Sequence, residues 1–442
     1  MTGIQYTHCQ STTSTVYEST RTGLVHWPLR WIITTALDEK PRSQTVLLNL
    51  CRTTAAWNNA TCLSLCRGQL DESNSYAKSV ILHQYLFGYE LPDLVMVLTL
   101  EGDLHVMGTK KKIEFLKPAA KESNSVHLYM RSKGDNNADN FHKLIVVIKN
   151  SGENSKPIVG SILKESNDSG LVGAWEQQFL KGMELVDCSP GLSFVLAVKD
   201  ETELDFMKKS SVLSNKLMKH GCIKTVEEII DESAVITHEA LAQKLDDMIE
   251  DPSQIGLKIP KDDVASCFFP IVQSGGVYDL KVSAVSDTRN LSFDIILVSL
   301  GARYKNYCST ISRTFLVDPP KVVSEHYELL TGMHEACQRA MRPGKPLRNV
   351  YTAAVDFLNK EGREDLVRHL PKTLGFGMGL DFRDGMLTLS SKNPTTFKAG
   401  MTFSLISAFQ NLSLSQKDRE NTPKESSVSY DLGYDCCDAS VI

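Results

Sequence analysis

The segment SLGARYKNYCSTISRTF, residues 299–315, predicts a β-hairpin, and the fold prediction depends on it. Two runs rich in apolar, aromatic and β-branched residues flank a polar centre, a pattern that is typical of paired strands. Gly301 is the residue that suits the turn, and the triplet Arg313–Phe315 closes the second run. The segment contains no carboxylate and no imidazole, so it offers no strong oxygen or nitrogen ligand to a metal ion.

Length and composition place the chain among globular proteins of two or three domains. It has 442 residues, of which 42% are hydrophobic and 23% charged, so a sizeable core can form. A net charge of −5 and a pI near 6.2 predict neither a nucleic-acid-binding surface nor an acidic solvating chain. The 11 cysteines show no paired spacing, which favours a reducing compartment over a disulfide framework.

The first residues predict a soluble intracellular protein. Residues 1–20 lack a basic start followed by an apolar core, so a secretory signal is not expected. The most apolar early segment, residues 24–37, is interrupted by His26, Pro28 and Arg30. It is too short and too polar to span a bilayer, so no membrane association is expected.

Periodicity divides the chain into four segments. Residues 1–69 are rich in Ser and Thr and are predicted to be a poorly ordered leader, foreign to the domain that follows. Helix-like and strand-like patterns alternate over residues 70–185, which favours a mixed α/β lobe. Over residues 186–412 helices accompany strands of antiparallel character, which predicts an α+β domain. Residues 413–442 are polar and aperiodic and are predicted to form a disordered tail.

Local signals predict three further features of the second half. Thr237 is the expected N-cap of a helix that ends before Pro252. Gly221 is the expected C-cap of the helix before it. Residues 278–285, YDLKVSAV, are interpreted as a strand.

Zinc-binding motifs have little support. His238 and Glu239 are half of a zinc-peptidase helix motif, but the fifth position is Ala242, so an exposed first helical turn explains the pair better. Cys62 and Cys66 have no second pair of ligands nearby, which argues against a zinc knuckle.

Nucleotide and nucleic-acid motifs are equally weak. Residues 375–382, GFGMGLDF, match neither the dinucleotide nor the phosphate-loop pattern and are interpreted as a structural turn or a close backbone approach. The basic run Lys110–Lys112 is interpreted as a solvated helix end. Direct nucleic-acid contact is therefore predicted to be weak or absent.

Five segments of the second half resemble the pita-bread domain of the methionine-aminopeptidase, prolidase and creatinase superfamily, in the family's order and spacing. They are VQSGGVYDLK (272–281), LVSLGARYKNYCSTISRTF (297–315), RPGKPLRNVYTAAVDFL (342–358), GFGMGLDFRDG (375–385) and AGMTFSLISAF (399–409). The resemblance implies an α+β pita-bread domain preceded by a smaller mixed α/β lobe. In active members two aspartates, a histidine and two glutamates hold two divalent ions that activate a hydroxide.

The resemblance places residues that bind metals poorly at the family's ligand positions. The two aspartates fall on Ser299 and Thr310, the histidine on Phe376 and one glutamate on Ile406. Neutral hydroxyls rarely replace bridging carboxylates, and phenyl and alkyl groups have no donor atom. The family's active-site histidine after residues 274–276 is also missing, with Lys281 near its place.

The resemblance therefore implies a pseudo-peptidase without catalytic residues, metal or cofactor. The side chains expected to line a cleft for a peptide are Lys281, Ser299, Thr310, Phe376, Arg383 and Ile406.

A narrower resemblance covers about residues 70–412 and includes the smaller lobe. The sequence is similar there to the N-terminal domain of the large, suppressor-of-Ty-type subunit of the FACT histone chaperone complex, an inactive branch of the superfamily. The segments that carry this similarity are YAKSVILHQYLFGYELPD (76–93), KKKIEFLK (110–117), PIVQSGGVYDLKVSAVSD (270–287), YCSTISRTFLVDP (307–319) and LGFGMGLDFRDG (374–385).

This resemblance implies a nuclear, chromosome-associated protein that binds histones and nucleosomes and supports nucleosome reorganisation in transcription, replication and repair. The family's small subunit, of the HMG-box type, is the implied partner. The family's chains continue into a dimerisation domain, a histone-binding module and an acidic tail, which this sequence does not reach. A truncated isoform, a fragment or a faulty gene model would each explain that difference, and it puts pairing with the small subunit in doubt.

Two alternative functions remain open from the sequence. One is a protein-interaction or structural module without histone affinity of its own. The other, more remote, is a metal-dependent aminopeptidase that recruits its metal through other ligands.

Overall fold

The structure, a computed structural model, describes residues 54–71, 74–122, 125–132, 137–151, 156–165, 170–281, 283–413 and 429–436. They divide between two compact units, one ending at Leu196 and one beginning at Ala197. The division lies later than the predicted boundary after residue 185, because the helix that follows packs on the first unit. There, a Cβ atom on Gly191 would lie 2.2 Å from the indole ring of Trp57. No helix in the described ranges combines the length and apolar character that a bilayer crossing requires.

The first unit contains a six-stranded mixed sheet in the order β4-β3-β2-β1-β5-β6. Its strands are β1 (Cys62–Ser64), β2 (Val95–Thr99), β3 (Leu104–Gly108), β4 (Val126–Met130), β5 (Ile158–Ser161) and β6 (Glu184–Asp187). Strand β2 pairs antiparallel with β1 and β3, and the other three pairings are parallel. The helices are α1 (Lys78–Phe87), α2 (Lys110–Glu122), α3 (Ala138–Asn150), α4 (Gly170–Ala174) and α5 (Ser189–Ala197), with a π-helical turn at Trp175–Phe179 and 3-10 turns at Thr54–Trp57 and Leu163–Glu165. The predicted mixed α/β lobe is confirmed.

The prediction that residues 1–69 are a foreign, poorly ordered leader is wrong for residues 54–69. Strand β1 lies inside the sheet, between β2 and β5. The indole Nε1 of Trp175 donates a hydrogen bond of 3.0 Å to Ser64 Oγ, which fixes β1 to the helical layer. Three residues are too few for the period-two pattern to be recognised, so tertiary pairing identifies this strand and local sequence does not. Residues 1–53 lie outside the described part of the chain.

The second unit contains an eight-stranded sheet in the order β12-β11-β13-β14-β10-β9-β7, with β8 also paired to β9. Its strands are β7 (Val264–Ser266), β8 (Ile271–Gln273), β9 (Ile295–Tyr304), β10 (Tyr307–Leu316), β11 (Thr373–Gly377), β12 (Asp384–Ser390), β13 (Phe403–Ser413) and β14 (Ser429–Cys436). The helices are α6 (Glu201–Lys216), α7 (Lys224–Asp231), α8 (His238–Glu250), α9 (Lys321–Ala340) and α10 (Arg348–Lys360), with a π-helical segment at Leu217–Ile223 and 3-10 turns at Pro252–Ile255, Lys261–Asp263 and Glu364–His369. All the pairings are antiparallel, and the predicted α+β class is confirmed.

The predicted hairpin is strands β9 and β10, but its turn is not at the glycine. The chain reverses at Lys305 and Asn306, whose φ angles of 50° and 68° are those that a two-residue type I′ turn requires. Gly301 lies inside β9, opposite Thr310. A Cβ atom there would lie 2.8 Å from the Phe268 ring, so Gly301 is needed for close packing and not for the turn.

Of the two helix ends predicted in the second unit, one is confirmed and one is wrong. Thr237 caps α8, because its hydroxyl accepts the Ala240 N–H at 3.1 Å, as expected. Gly221 is not a C-cap: it lies within the π-helical segment that joins α6 to α7, where a Cβ atom would lie 3.0 Å from Met248 Sδ.

Two other predictions for the second unit are wrong. The described residues of 278–285 form no strand; this loop is fixed by side chains from the sheet instead. The predicted disorder of residues 413–442 does not hold for 429–436, because β14 pairs with both β10 and β13. The pairing with β10 joins segments far apart in the sequence, so local composition carries no signal for it.

Candidate functional site

A cleft with an empty volume of about 590 Å³, including its open mouth, lies against the sheet of the second unit. Strands β9, β10, β11 and β13 supply its floor, and the loops around residues 280 and 382 supply its sides. Its lining residues are Phe268, Ile271, Asp279, Leu280, Lys281, Leu297, Ser299, Thr310, Ser312, Phe376, Phe382, Ile406 and Ala408.

Five of the six side chains predicted to line a peptide cleft surround this one cavity. They come from a loop and four strands: Lys281, Ser299, Thr310, Phe376 and Ile406. Arg383 does not line it. Its guanidinium carbon lies 5.4 Å from the centre of the Phe376 ring, a cation–π distance, so Arg383 supports a wall from behind.

The floor of the cleft carries hydroxyl groups in fixed positions. Ser299 and Ser312 are directly opposite each other in the hairpin, and Ser312 donates a 2.7 Å hydrogen bond to Ser299 Oγ. Thr310, two residues before Ser312 and therefore on the same face, lies 3.2 Å from Ser404 Oγ on β13. The two cross-strand pairs hold the floor rigidly.

Aromatic rings form one wall. The Phe382 ring lies 5.2 Å from the Phe268 ring and 5.8 Å from the Phe376 ring, centre to centre, in tilted and edge-to-face arrangements. Phe376 is 3% exposed, so it packs as a core side chain with one edge toward the cavity. Phe268, Phe382 and Ser312 also line the cleft and were not predicted from the sequence. Only Ser312 had a detectable signal, since it is two residues from Thr310 on a strand.

The rim is charged and is held by a side chain from the sheet. The Gln273 side chain donates to the backbone oxygen of Asp279 at 3.0 Å and accepts the Asp279 N–H at 2.7 Å. Asp279 Oδ1 then accepts the Lys281 N–H at 3.0 Å, and the Lys281 ammonium lies 3.4 Å from Oδ2. This double hydrogen bond replaces the predicted strand pairing of the loop. Lys281 is 75% exposed, so its charge points to solvent at the mouth.

His238 is buried, which corrects the prediction that its pair with Glu239 is an exposed helical turn. Its Nδ1 lies 2.7 Å from Asp287 Oδ1 and its Nε2 lies 2.7 Å from Ser274 Oγ. Burial acts to raise the pKa of the Asp287 carboxyl, but hydrogen bonds from His238 and Arg289 outweigh it and hold that pKa below its ordinary value.

Ser274, His238 and Asp287 are connected as in a catalytic triad, but Ser274 cannot act as a nucleophile. Ser274 Oγ accepts the Ser292 N–H at 2.8 Å, and its side chain is 1% exposed, so no substrate can reach it. The three residues join the start of α8 to the loops beside β8 and β9.

The cleft has few groups suited to a dinuclear metal site. Among its lining residues Asp279 is the one carboxylate, and none is a histidine. Within the described ranges, no group of three His, Cys, Asp or Glu side chains converges on the cleft. Its floor and walls can accept apolar side chains and hydrogen-bond a polar backbone.

Comparisons with known proteins agree with both halves of this architecture. The model of the FACT complex subunit SPT16 N-terminal lobe domain matches residues 40–191, and that of metallopeptidase family M24 matches residues 205–415. The first match begins before residue 70, in accord with the position of β1. Prolidase from Thermococcus sibiricus, at 18% identity, superposes with a TM-score of 0.60 over 91% of this chain and 96% of that chain, which shows the shared fold.

Relatives at higher identity include FACT complex subunits. FACT complex subunit SPT16 of Dictyostelium discoideum is 36% identical over 367 residues, which are 81% of this chain and 34% of that protein. The rice protein of the same name is 33% identical over 373 residues, 82% of this chain and 35% of its own length. The chain thus spans about a third of the length of these curated relatives.

A solved structure covers the same region. The N-terminal domain of FACT complex subunit SPT16 from chickpea is 31% identical and superposes with a TM-score of 0.79 over 89% of this chain and 92% of that domain. The domain from Eremothecium gossypii gives a TM-score of 0.80 at 29% identity, with the same coverage. The chain belongs to the family of the N-terminal domain of FACT complex subunit SPT16.

Proposed function

We propose that this chain is part of a FACT-type histone chaperone subunit and binds histone peptides in the cleft without cleaving them. Its place is in the nucleus, on chromatin, where it supports nucleosome reorganisation in transcription, replication and repair. Histones or nucleosomes are the proposed partners. The HMG-box-type small subunit is proposed as a partner through the family's dimerisation domain and not through this region. Family membership supports the chaperone assignment, and the chemistry of the cleft supports binding without cleavage.

The proposed lack of peptidase activity rests on the donor atoms that the cleft offers. By the superfamily resemblance, Ser299 and Thr310 occupy the two bridging aspartate positions, while Phe376 and Ile406 occupy a histidine and a glutamate position. Two dications roughly 3.5–4 Å apart need negatively charged oxygen ligands to offset their mutual repulsion. Two neutral hydroxyls, a phenyl ring and an alkyl chain cannot supply that charge.

The proposed binding mode follows from the shape and polarity of the cleft. The cleft is open to solvent on one side and lined largely by apolar side chains, so an extended peptide can lie against its floor. The hydroxyls of Ser299 and Ser312 can hydrogen-bond a peptide backbone, and the phenylalanine wall can pack on its side chains. Nothing in this arrangement activates water. The main support for the proposal is an apolar cleft whose floor carries hydroxyl groups, in a peptidase fold.

A titration tests the proposal. Fluorescein-labelled histone H3 and H4 tail peptides are added to the purified chain and anisotropy is recorded, with scrambled peptides as controls. Saturable binding of the native peptides is expected. Binding that is absent at millimolar peptide would refute the cleft as a tail reader. If intact histones or nuclear partners then bind elsewhere on the chain, the alternative of a protein-interaction module replaces it.

A matched pair of variants locates the binding. Leu280→Ala removes an apolar side chain that lines the cleft, whereas Val277→Ala changes a 63% exposed residue of the same loop that does not line it. A buried apolar contact at an interface contributes about 1–2 kcal/mol, so Leu280→Ala should weaken binding roughly 5- to 30-fold. Val277→Ala should change it less than twofold. Equal effects would place the peptide outside the cleft.

The aminopeptidase alternative is tested in the same preparation. The chain is incubated with manganese, cobalt or zinc and with aminopeptide substrates, and its bound metal is measured after exchange into metal-free buffer. No cleavage is expected. Cleavage that Thr310→Ala abolishes would place catalysis in the cleft and overturn the proposal.

A further inference from the structure

A second group of chemically active side chains lies in the first unit, far along the chain from the cleft residues. His105 on β3 and His127 on β4 are directly opposite each other in a parallel strand pair. Because side chains of paired residues point to the same face, the two imidazoles stack, with ring centres 4.5 Å apart and planes at 16°. The stack occupies an edge of the sheet, since β4 is its last strand.

A carboxylate joins the two imidazoles. Asp103 lies two residues before His105 and therefore on the same face, and its Oδ1 is 3.4 Å from His127 Nε2. The hairpin between β2 and β3 holds it there. The Thr99 N–H donates to the backbone carbonyl oxygen of Asp103 at 3.1 Å, and the Asp103 N–H donates to Thr99 Oγ1 at 3.4 Å. One ligand atom from each of Asp103, His105 and His127 lies within 4.8 Å of the other two.

A tyrosine fixes the orientation of the buried imidazole. The Tyr129 hydroxyl is 3.0 Å from His105 Nδ1, and its ring stacks on the His105 ring at 5.9 Å. His105 is 6% exposed, so this contact determines which way its ring faces. Histidines that bind metals commonly use their second nitrogen in such a hydrogen bond, which sets the tautomer and leaves the other nitrogen for the ion.

We propose that Asp103, His105 and His127 form a binding site for a zinc-like divalent transition-metal ion. Two imidazoles and one carboxylate suit zinc, nickel or copper, whereas magnesium and calcium prefer oxygen ligands alone. With bonds of about 2.0–2.2 Å in tetrahedral geometry, two ligand atoms on zinc lie about 3.4 Å apart. The Asp103–His127 distance already has that value, and the ligand atom of His105 lies within 4.8 Å of the other two.

The exposure of the site fits an ion that keeps an open position. Asp103 and His127 are each 41% exposed, so water or a group from another molecule can complete the coordination. His105 forms the base of the site and the other two form its mouth. This site is independent of the proposed peptide cleft and adds a function to the other unit of the chain.

The test uses the full chain without a histidine tag, freed of metal with a chelator and dialysed. Zinc binding is measured by competition with a chromophoric chelator, and cobalt is added in parallel because its visible absorption reports tetrahedral coordination. One zinc ion per chain is expected to bind at this site. His127→Ala and Asp103→Asn should each weaken that binding at least about 100-fold, since loss of an outer hydrogen-bond partner alone costs about 10–100-fold. Tyr129→Phe should weaken it about 10-fold.

The control is His142→Ala, which removes an exposed histidine of α3 in the same unit and should leave zinc affinity unchanged. His127 and Asp103 are at the surface, so their replacement leaves the fold intact, and circular dichroism verifies this. Wild-type chain that takes up no zinc at millimolar metal would overturn the proposal. A bound ion whose affinity is the same in wild type, His127→Ala and Asp103→Asn would also overturn it, because the ion would then lie elsewhere.

Discussion

Acid should destabilise the second unit through one buried histidine of α9. His334 is 5% exposed, and its Nδ1 lies 3.1 Å from Ser407 Oγ on β13. Ser407 follows Ile406 directly, so the two point to opposite faces of the strand, one to α9 and one to the cleft. Burial, together with the nearby positive charge of Arg313, lowers the pKa of His334 from 6.5 to about 4.

The sign and size of the effect follow from proton linkage. The unfolded chain binds a proton at this histidine near pH 6.5, but the folded chain does so only near pH 4. As pH falls below 6.5 the unfolded state therefore gains a proton that the folded state cannot accept, and stability is lost until about pH 4. The whole difference corresponds to about 3 kcal/mol, of which about 2 kcal/mol is lost between about pH 7 and pH 5.

The assay compares pH dependence between variants rather than stability at one pH. Urea unfolding is followed at pH 7 and pH 5, and hydrogen exchange of peptides from α9 reports the local free energy of opening. His334→Gln keeps a side chain that can bond Ser407 but does not titrate, so its loss between the two pH values should be about 2 kcal/mol smaller than that of wild type. His220→Gln, at an exposed histidine, should behave as wild type. If wild type and His334→Gln lose equal stability, the buried histidine is not the cause.

Two packing predictions concern the sheets. Gly301→Ala places a methyl group 2.9 Å from the backbone oxygen of Ser309 and should destabilise the second unit by about 1–3 kcal/mol in thermal unfolding. The control Gly385→Ala, where the new methyl group has no atom within 4 Å, should be neutral or stabilising. Equal melting temperatures of the two variants would contradict the close packing seen in β9. Trp175→Phe removes the hydrogen bond to Ser64 and should lower the stability of the first unit by about 1–3 kcal/mol, measured by urea unfolding. An unchanged free energy of unfolding would mean that β1 is held by strand pairing alone.

The sequence predicts the second unit well because its signals are local and redundant. The hairpin and the capped helix α8 each carry a pattern of several residues. The turn predicted from residue 375 onward is wrong for residues 375–377, which belong to strand β11, where a Cβ atom on Gly375 would lie 2.0 Å from the backbone oxygen of Ser404. Period-two alternation then places Thr310 on the cleft floor, as it does Ser312. The error at Gly301 has a physical origin: glycine serves both turns and close packing, and only the Phe268 ring beside it distinguishes the two.

Features that depend on distant pairing could not be predicted. The three residues of β1 and the strand β14 have no distinctive local pattern, and each is defined by its neighbours in a sheet. The pair of His105 and His127 also depends on the pairing of strands distant in the sequence. Asp103 and His105 share a face of a strand that the sequence indicates, but His127 joins them only through the parallel register of β3 and β4. No spacing rule links residues 105 and 127.

The strand register of the second unit is set by its turn and its core packing. The turn at Lys305 and Asn306 places Ser299 opposite Ser312, and a slip of one residue would turn the floor hydroxyls into the core. Core packing opposes that slip on the other face of the hairpin, where Val298, Leu300 and Ile311 belong to one buried cluster. In small zinc domains the metal supplies the folding energy, but here an apolar core of this size already does. The shape of the cleft therefore follows from the packing of the sheet, and for that reason its side chains, rather than its fold, decide what it can bind.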